Sequence, residues 1–302
     1  MTNTEIMPEK PLKNIRNMDF KQLARHLTMV ENNLRGADEL LQNLTFSNDI
    51  PVIGLTGPPG AGKSTLVNAL IGELLKDGKK IAVLAVDPTS PFNLGSLLGD
   101  RIRMNTYFNH PDVFIRSLAT RGWAGGLSVK TMEMTDILKS YGFDYIIVET
   151  VGVGQSEIDI AGLADKTLVV LVPESGDEIQ HIKSGLMEIA DAFVVNKADR
   201  DGGDSFANNL QKLIHYNHVE VPVFKTIATM QTGIAELVNF IKSATKIQNE
   251  KKFYLLTEKV YRLVQYKRMH GLEKVKLRQL INEAYKKDNF NIYRFADEVM
   301  NS

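Results

Sequence analysis

The chain has 302 residues, 43% of them hydrophobic, and carries 36 Lys plus Arg against 36 Asp plus Glu. That length holds one large α/β domain with extensions or two modest domains, and the balanced charge gives no global field for nucleic acid or an anionic membrane, so small-molecule and protein partners are favoured. The absence of cysteine excludes a disulfide framework, thiolate catalysis and cysteine-ligated zinc or iron–sulfur sites.

Met1 to Leu12 carries charges and prolines without a basic start and an apolar run, so it does not read as a secretory signal. No apolar stretch approaches the roughly 20 residues that a membrane span needs. A soluble, cytoplasmic protein is expected. Phe20, Leu23, Ala24, Leu27, Val30 and Leu34 recur at helical spacing and predict a helix from about Asp19 to Arg35, capped by Asp19. Gly36 interrupts it, and Ala37 to Leu44 resumes a short helical pattern. The stripe is expected to pack on its own domain.

Val52 to Thr56 is a short β-branched strand, Gly57 to Ser64 spells glycine, four residues, glycine, lysine, serine, and Leu66, Val67, Leu70 and Ile71 then repeat at helical spacing. Strand, loop and helix stand in the order a P-loop requires. The glycines let successive N–H groups and the positive helix end face a phosphate chain. Lys63 can reach the β and γ phosphates and the Ser64 hydroxyl can hold Mg²⁺.

Lys80 to Val86 predicts a second strand ending at Asp87-Pro88. Proline stops both ladder and helix, which leaves the Asp87 carboxylate at a strand's carboxyl end, where open α/β sheets bind ligands and where it can meet Mg²⁺ directly or through water. Asn93 to Met104 mixes Gly95 and Gly99 with Asp100, Arg101 and Arg103, the hinges and charge that a γ-phosphate sensor needs. Asp100 fits a metal-shell or water-orienting role, and a solvated helix face fits the same spacing. After a strand from Val113 to Leu118, Arg121 lies beside Trp123, Gly125 and Gly126 in a glycine-rich loop, read as a phosphate or partner clamp or as an ordinary surface loop. Leu127 to Leu138 predicts a helix capped near Ser128.

Tyr145 to Val151 is a buried strand that ends in Glu149, with Gly152 close behind. Its carboxylate is placed to hold a metal water and Gly152 to offer its N–H to the γ phosphate, a Walker B arrangement with Glu for the commoner Asp. Thr167 to Val172 predicts the next strand, Pro173 to Lys183 a polar turn leading into a helix that ends near Ala190, and Ala192 to Val195 a strand running into Asn196-Lys197-Ala198-Asp199. The Asp199 carboxylate can accept both hydrogen bonds from guanine N1 and its 2-amino group, a pairing that adenine cannot supply, while Asn196 and the Lys197 stem position loop and base. His215 and His218 lie on an expected helix with no third ligand nearby and are read as surface residues. Val221 to Ala228 predicts the last strand, ending in Ile227-Ala228 where backbone N–H groups can face guanine O6. Helices are expected over Gly233 to Thr245, Phe253 to Met269, Leu272 to Tyr285 and Ile292 to Val299.

Gly57-Pro58-Pro59-Gly60-Ala61-Gly62-Lys63-Ser64-Thr65, Val86 to Ser90, Gly99 to Met104, Glu149 to Glu157, Gly176 to Gln180 and Asn196 to Asp199 together resemble the MeaB/ArgK/MMAA group of SIMIBI-class P-loop GTPases, over about Phe20 to Leu237. The resemblance implies an α/β P-loop fold, mostly parallel, divided as a helical extension (1–48), a GTPase domain (49–246) and a C-terminal helical arm (247–302). It implies a GTPase chaperone that forms homodimers and serves an adenosylcobalamin-dependent acyl-CoA mutase of the methylmalonyl-CoA mutase type. On matching positions, Gly57 to Thr65 with Gly152, Asn196, Lys197, Asp199, Ile227 and Ala228 resemble the GTP/GDP site. Ser64, Asp87, Asp100 and Glu149 resemble the Mg²⁺ shell, and Lys63, Asp100 and Glu149 the catalytic set. Gly152 to Glu157 resembles switch II and Gly176 to Lys183 a third switch coupling nucleotide to mutase. This chain departs from the family at Ile227, where serine is usual, and at Trp123 to Gly126.

Three rival readings share parts of this pattern. A metal-inserting GTPase normally needs a cysteine or histidine metal site, and the chain has no cysteine. An ArgK-like kinase or ATPase linked to amino-acid transport would gain nothing from guanine selection. A non-hydrolysing scaffold would not need Lys63, Ser64 and Glu149 intact. No arginine finger or base is legible, which predicts slow intrinsic GTP hydrolysis raised by a partner.

Overall fold

Parallel strands covered on both faces must be apolar at nearly every position, and the strand segments of this chain are. The computed structural model describes residues 19–45, 50–87, 105–119, 129–150, 160–174, 184–216 and 221–243, and, further on, 257, 260–261, 263–265, 267–269, 274–286 and 290–300. The chain divides into two compact units, Met1–Leu255 and Leu256–Ser302.

In the first unit β1 (Val52–Thr56), β2 (Ile81–Asp87), β3 (Val113–Ala119), β4 (Tyr145–Thr150), β5 (Lys166–Leu171), β6 (Ala192–Asn196) and β7 (Val223–Thr226) form one seven-stranded sheet in the order β3-β2-β4-β1-β5-β6-β7. Every neighbouring pair is parallel. The strand order reverses around β1, so the loop that follows β1 sits at a switch point, the crevice where such sheets bind ligands.

Side chains alternate between the two faces. Ile53 and Leu55 of β1, Ile147 of β4, Leu168 and Val170 of β5 and Val194 of β6 pack with α3 (Lys63–Lys76) and α7 (Ile234–Lys242). On the opposite face Ala82, Leu84, Ile146 and Val148 pack with α1 (Phe20–Glu31), α2 (Ala37–Gln42) and α4 (Val129–Ser140). Val169, Leu171, Phe193 and Val195 pack with α5 (Ser184–Ile189) and α6 (Gly203–Tyr216) on that side.

The edge at the amino ends of the strands is stapled by a repeated device. Asp144, Asp165 and Asp191 each stand one residue before a strand. Each carboxylate accepts a backbone N–H at or beside the start of a neighbouring strand: Lys80 at 2.8 Å, Val52 at 2.7 Å and Thr167 at 2.7 Å. A carboxylate there satisfies a donor that the ladder leaves unpaired.

Several element ends differ from the expected ones. Asp19 caps α1 as predicted, accepting from Lys21 and Gln22 N–H, but α1 stops at Glu31 rather than near Arg35. Asn33 there takes a left-handed backbone (φ 50°) and Leu34 N–H returns to Met29 O at 3.0 Å, the asparagine version of a helix stop. β7 begins at Val223, one residue after Pro222, and ends at Thr226, so Ile227 and Ala228 lie beyond it, Ala228 opening a 3₁₀ turn. α7 ends at Lys242, short of the expected Thr245. α4 runs to Ser140, past Leu138, and the expected cap at Ser128 lies outside the described residues.

In the second unit the described positions from 257 to 269 are helical. They are followed by α8 (Lys274–Tyr285) and α9 (Ile292–Met300). Asn291 caps α9 through Tyr293 and Arg294 N–H, and Phe290 sets its ring edge-on to Tyr285 and tilted against Phe295, with centroids 5.5 and 5.7 Å away.

Candidate functional site

The loop between β1 and α3 passes so close to β5 that its first residue can carry no side chain. At Gly57 (φ 138°) a Cβ would lie 2.0 Å from the Val170 carbonyl oxygen. Gly62 (φ 82°) stands at the start of α3 with no side-chain cap on the helix, and a Cβ there would lie 2.6 Å from Asn196 Nδ2. The loop is thus pressed between β5 and the end of β6, with the first N–H groups of a 14-residue helix beneath it, an anion-binding arrangement. Pro58 is half-buried, Ala61 is buried, and Pro59, Gly60 and Thr65 are exposed.

Two polar side chains of the first turn of α3 face inward. Lys63 is 6% exposed, and its ammonium donates to Gly57 O at 2.7 Å and Pro58 O at 2.9 Å. The amine is therefore folded across the loop from within, at the place where phosphate oxygens would compete for it. Ser64 is 7% exposed and donates its hydroxyl to Glu149 Oε1 at 2.7 Å. Glu149 itself is buried at the end of β4. The next residue, Thr150, ties that strand end to β1 through Leu55 O (3.3 Å) and Thr56 Oγ1 (3.1 Å). A buried hydroxyl beside a buried carboxylate is the hard-oxygen pair that suits Mg²⁺.

Asn196, at the end of β6, joins this loop to the guanine-type motif. Its Nδ2 donates to Ala61 O at 3.0 Å, while its Oδ1 accepts from Thr226 Oγ1 at 3.2 Å and Ala228 N–H at 3.3 Å. Two donors aimed at one amide atom fix which way the amide points. Lys197 adopts a left-handed backbone (φ 55°) and lays its ammonium on Gly60 O at 2.8 Å. Ala198 N–H donates to Thr226 O at 3.1 Å. Asp199 follows, exposed. Residues far apart in the chain are thus held in one crevice, with the amide of Asn196 as the common strut.

The placement of the sequence-predicted residues is uneven. Gly57 to Ser64, Glu149, Asn196 and Lys197 converge, and Asp199 stands at the end of their loop. Asp87 closes β2 at the same carboxyl edge, opposite Ala119 in register, and its side chain is outside the described structure. Asp100, Gly152 and the expected switch segments from Gly152 to Glu157 and Gly176 to Lys183 lie outside the described residues, as do Arg121, Trp123 and His218. His215 is exposed in the last turn of α6. The two amides expected to face guanine O6 are engaged inside the protein: Ile227 N–H donates to Thr232 O at 3.1 Å and Ala228 N–H to Asn196 Oδ1. Sequence reasoning missed Thr226, whose buried hydroxyl orients Asn196; a polar residue closing an otherwise apolar strand was the available signal.

A family model described as "Methylmalonyl Co-A mutase-associated GTPase MeaB" matches residues 23–283. Among curated proteins, one of Pyrococcus abyssi whose name assigns it as a GTPase is 47% identical over 244 residues, covering 78% of this chain and 75% of that protein. GTPase ArgK of Escherichia coli is 38% identical over 213 residues, covering 69% and 63%. The fused isobutyryl-CoA mutase of Geobacillus kaustophilus is 32% identical over 280 residues, covering 78% of this chain and 26% of that longer protein. Of solved structures, a LAO/AO transport system kinase superposes with a TM-score of 0.64 at 25% identity, each chain covered to 97%. HypB from Helicobacter pylori in complex with nickel superposes with a TM-score of 0.51 at 19% identity, covering 73% of this chain and 93% of that one, a likeness of fold alone. With a P-loop pressed against a guanine-type loop in a parallel sheet, and with a family model spanning most of its length, the chain belongs to the methylmalonyl-CoA mutase-associated GTPase MeaB family.

Proposed function

We propose that this chain is a nucleotide-dependent chaperone of an adenosylcobalamin-dependent acyl-CoA mutase, and that its GTP–GDP cycle decides when the mutase is held. The observation that carries the nucleotide half is the Asn196 strut from the guanine-type loop to Ala61 O in the phosphate loop. It ties together the two loops that this reading assigns to the two ends of one nucleotide. Support for the mutase half is the family description and the relative in which a similar segment is part of a fused mutase.

As a member of a GTPase family the chain converts GTP and water to GDP and phosphate. Lys63 leaves the Gly57 and Pro58 carbonyls for the β and γ phosphates, and the N–H groups of the loop and of α3 stabilise the charge that develops as the γ phosphoryl departs. Asp199 accepts from guanine N1–H and the 2-amino group, with Lys197 along the base. Ser64 and Glu149, with Asp87 and Asp100 from the resemblance, would hold Mg²⁺, which when bound would neutralise charge on the phosphates. Intrinsic turnover is slow and rises on contact with the mutase, and the working species is a homodimer.

The test is retention of a purified cobalamin-dependent acyl-CoA mutase on immobilised chain loaded with GTP, a non-hydrolysable GTP analogue or GDP. Retention that differs between nucleotides, with faster GTP hydrolysis when the mutase is present, is expected. Equal retention in all states together with an unchanged rate would contradict it. The kinase name of one structural neighbour supplies a second reading, and labelled γ phosphate appearing on an amino acid instead of as free phosphate would favour that one.

A further inference from the structure

We propose that Arg200 is a positioning residue for guanine selection, with Glu174 as its anchor. This rests on the reading of Asp199 as the residue that grips the guanine.

The Asp199 carboxylate is exposed and accepts no hydrogen bond among the described residues. Among the described residues no side chain steers it directly, so its aim is argued from the backbone that carries it. That backbone is tethered on its near side to two other elements. Lys197 Nζ donates to Gly60 O of the phosphate loop at 2.8 Å, and Ala198 N–H to Thr226 O at the end of β7 at 3.1 Å. On the far side the backbone bonds are local to the turn: Arg200 N–H to Lys197 O at 3.1 Å and Gly203 N–H to Arg200 O at 3.0 Å. Further along, Asp204 at the start of α6 accepts from Lys225 Nζ of β7 at 2.8 Å. Next to Asp199 itself, the described side-chain tether is the Arg200 guanidinium, whose Nη1 donates to Glu174 Oε1. Glu174 stands just past the end of β5, which pairs in parallel with β6 through Leu171 and Val195. The pair therefore bridges two adjacent strand ends at the nucleotide edge and ties the residue next to Asp199 to the β5 side, where the Lys197, Ala198 and Asp204 tethers do not reach.

Both side chains are about half exposed, 49% and 48%. Exposed ion pairs contribute little, about 0.2 to 1 kcal/mol, and are screened by salt. Conversion at 1.4 kcal/mol per decade limits the expected effect on selectivity to at most about fivefold. That is small beside the loss of Asp199 itself, which is the mark of a residue acting through another.

The experiment compares GTP with ITP, which lacks the 2-amino group that Asp199 reads. Dissociation constants and kcat/KM for both nucleotides are measured on the full chain, in the unaltered protein, Arg200→Ala, Glu174→Gln and the exchanged double variant Arg200→Glu with Glu174→Arg. Each single substitution should lower the GTP-over-ITP ratio by at most about fivefold, mainly by weakening GTP, with an unchanged melting temperature. The exchanged pair should recover much of the ratio. Added salt should erode the ratio in the unaltered protein and not in Arg200→Ala. An unchanged ratio in both single variants, or an exchanged pair no better than either, would overturn the proposal. If Asp199→Ala abolishes the preference while the Arg200 series leaves it intact, the proposal alone falls. If Asp199→Ala also leaves the preference intact, the reading beneath it falls as well.

Discussion

The Ser64 hydroxyl lies 2.7 Å from Glu149 Oε1, and both side chains are buried although they come from different elements, the first turn of α3 and the last residues of β4. A hydroxyl that donates to a carboxylate is poised to turn its lone pairs toward a divalent cation when one arrives. Ser64→Ala is therefore expected to raise the Mg²⁺ concentration needed for half-maximal hydrolysis and to lower kcat by about a hundredfold. Chelation of Mg²⁺ should depress the unaltered protein to a similar level. A metal titration of the steady-state phosphate release rate checks both. An unaltered titration curve for Ser64→Ala would remove the hydroxyl from the metal shell.

Two glycines of the same loop should respond differently to one methyl group. At Gly57 a Cβ meets the Val170 carbonyl oxygen at 2.0 Å, whereas at Gly60 (φ 81°) nothing lies within 4 Å. Gly60→Ala carries only backbone strain, about 1–2 kcal/mol. Gly57→Ala adds a backbone collision and should cost about 3 kcal/mol or more. Denaturant unfolding measures the difference, and Gly57→Ala should also lose nucleotide binding that Gly60→Ala partly keeps. Equal stabilities for the two variants would mean that the loop is not pressed on β5 as described.

His26 gives the fold a pH dependence of known sign. Its Nδ1 lies 2.8 Å from the Tyr141 hydroxyl. Burial raises the Tyr141 pKa, which keeps the phenol as donor, and burial lowers the His26 pKa from its ordinary 6.5, which keeps the imidazole as acceptor. The unfolded chain thus takes up this proton at a higher pH than the folded one. Its contribution is intact above about pH 6.5 and is lost as the pH falls from there toward the lower folded-state value. Denaturant midpoints taken between neutral pH and about pH 5.5 should fall more for the unaltered protein than for His26→Gln. Parallel curves would show that His26 is not the titrating group.

Most of the sheet and the phosphate loop were legible because their signals are local. β1, α3 and the glycine pattern between them occupy contiguous residues, and apolar runs such as Val52–Thr56 and Ala192–Asn196 admit few other uses in a parallel sheet. Asn196, Lys63 and Glu149 were recognisable as candidates for the same reason. Contacts across the sheet were not legible. The bond from Asn196 to Ala61 O spans 135 positions, and the hydroxyl of Thr226 gains its meaning only once β6 and β7 lie side by side. The aspartates before β4, β5 and β6 drew no reading from the sequence, because their role as staples to neighbouring strands exists only once the strands lie side by side. The end of α1 was placed too late because an asparagine in a left-handed conformation stopped the helix while the apolar spacing continued to Leu34. The amides of Ile227 and Ala228 were assigned to the base from position alone, and their partners inside the protein depend on the geometry of a turn that sequence does not specify.

One calorimetric comparison bears most directly on the central claim that Asp199 and the loop from Gly57 to Ser64 grip opposite ends of one guanosine triphosphate. GTP and ATP are titrated in turn into the unaltered chain and into Asp199→Ala. The expected result is GTP bound at least about 100-fold more tightly than ATP by the unaltered chain, with most of that preference gone in the variant. ATP bound as tightly as GTP, or a preference that survives Asp199→Ala undiminished, would contradict the claim.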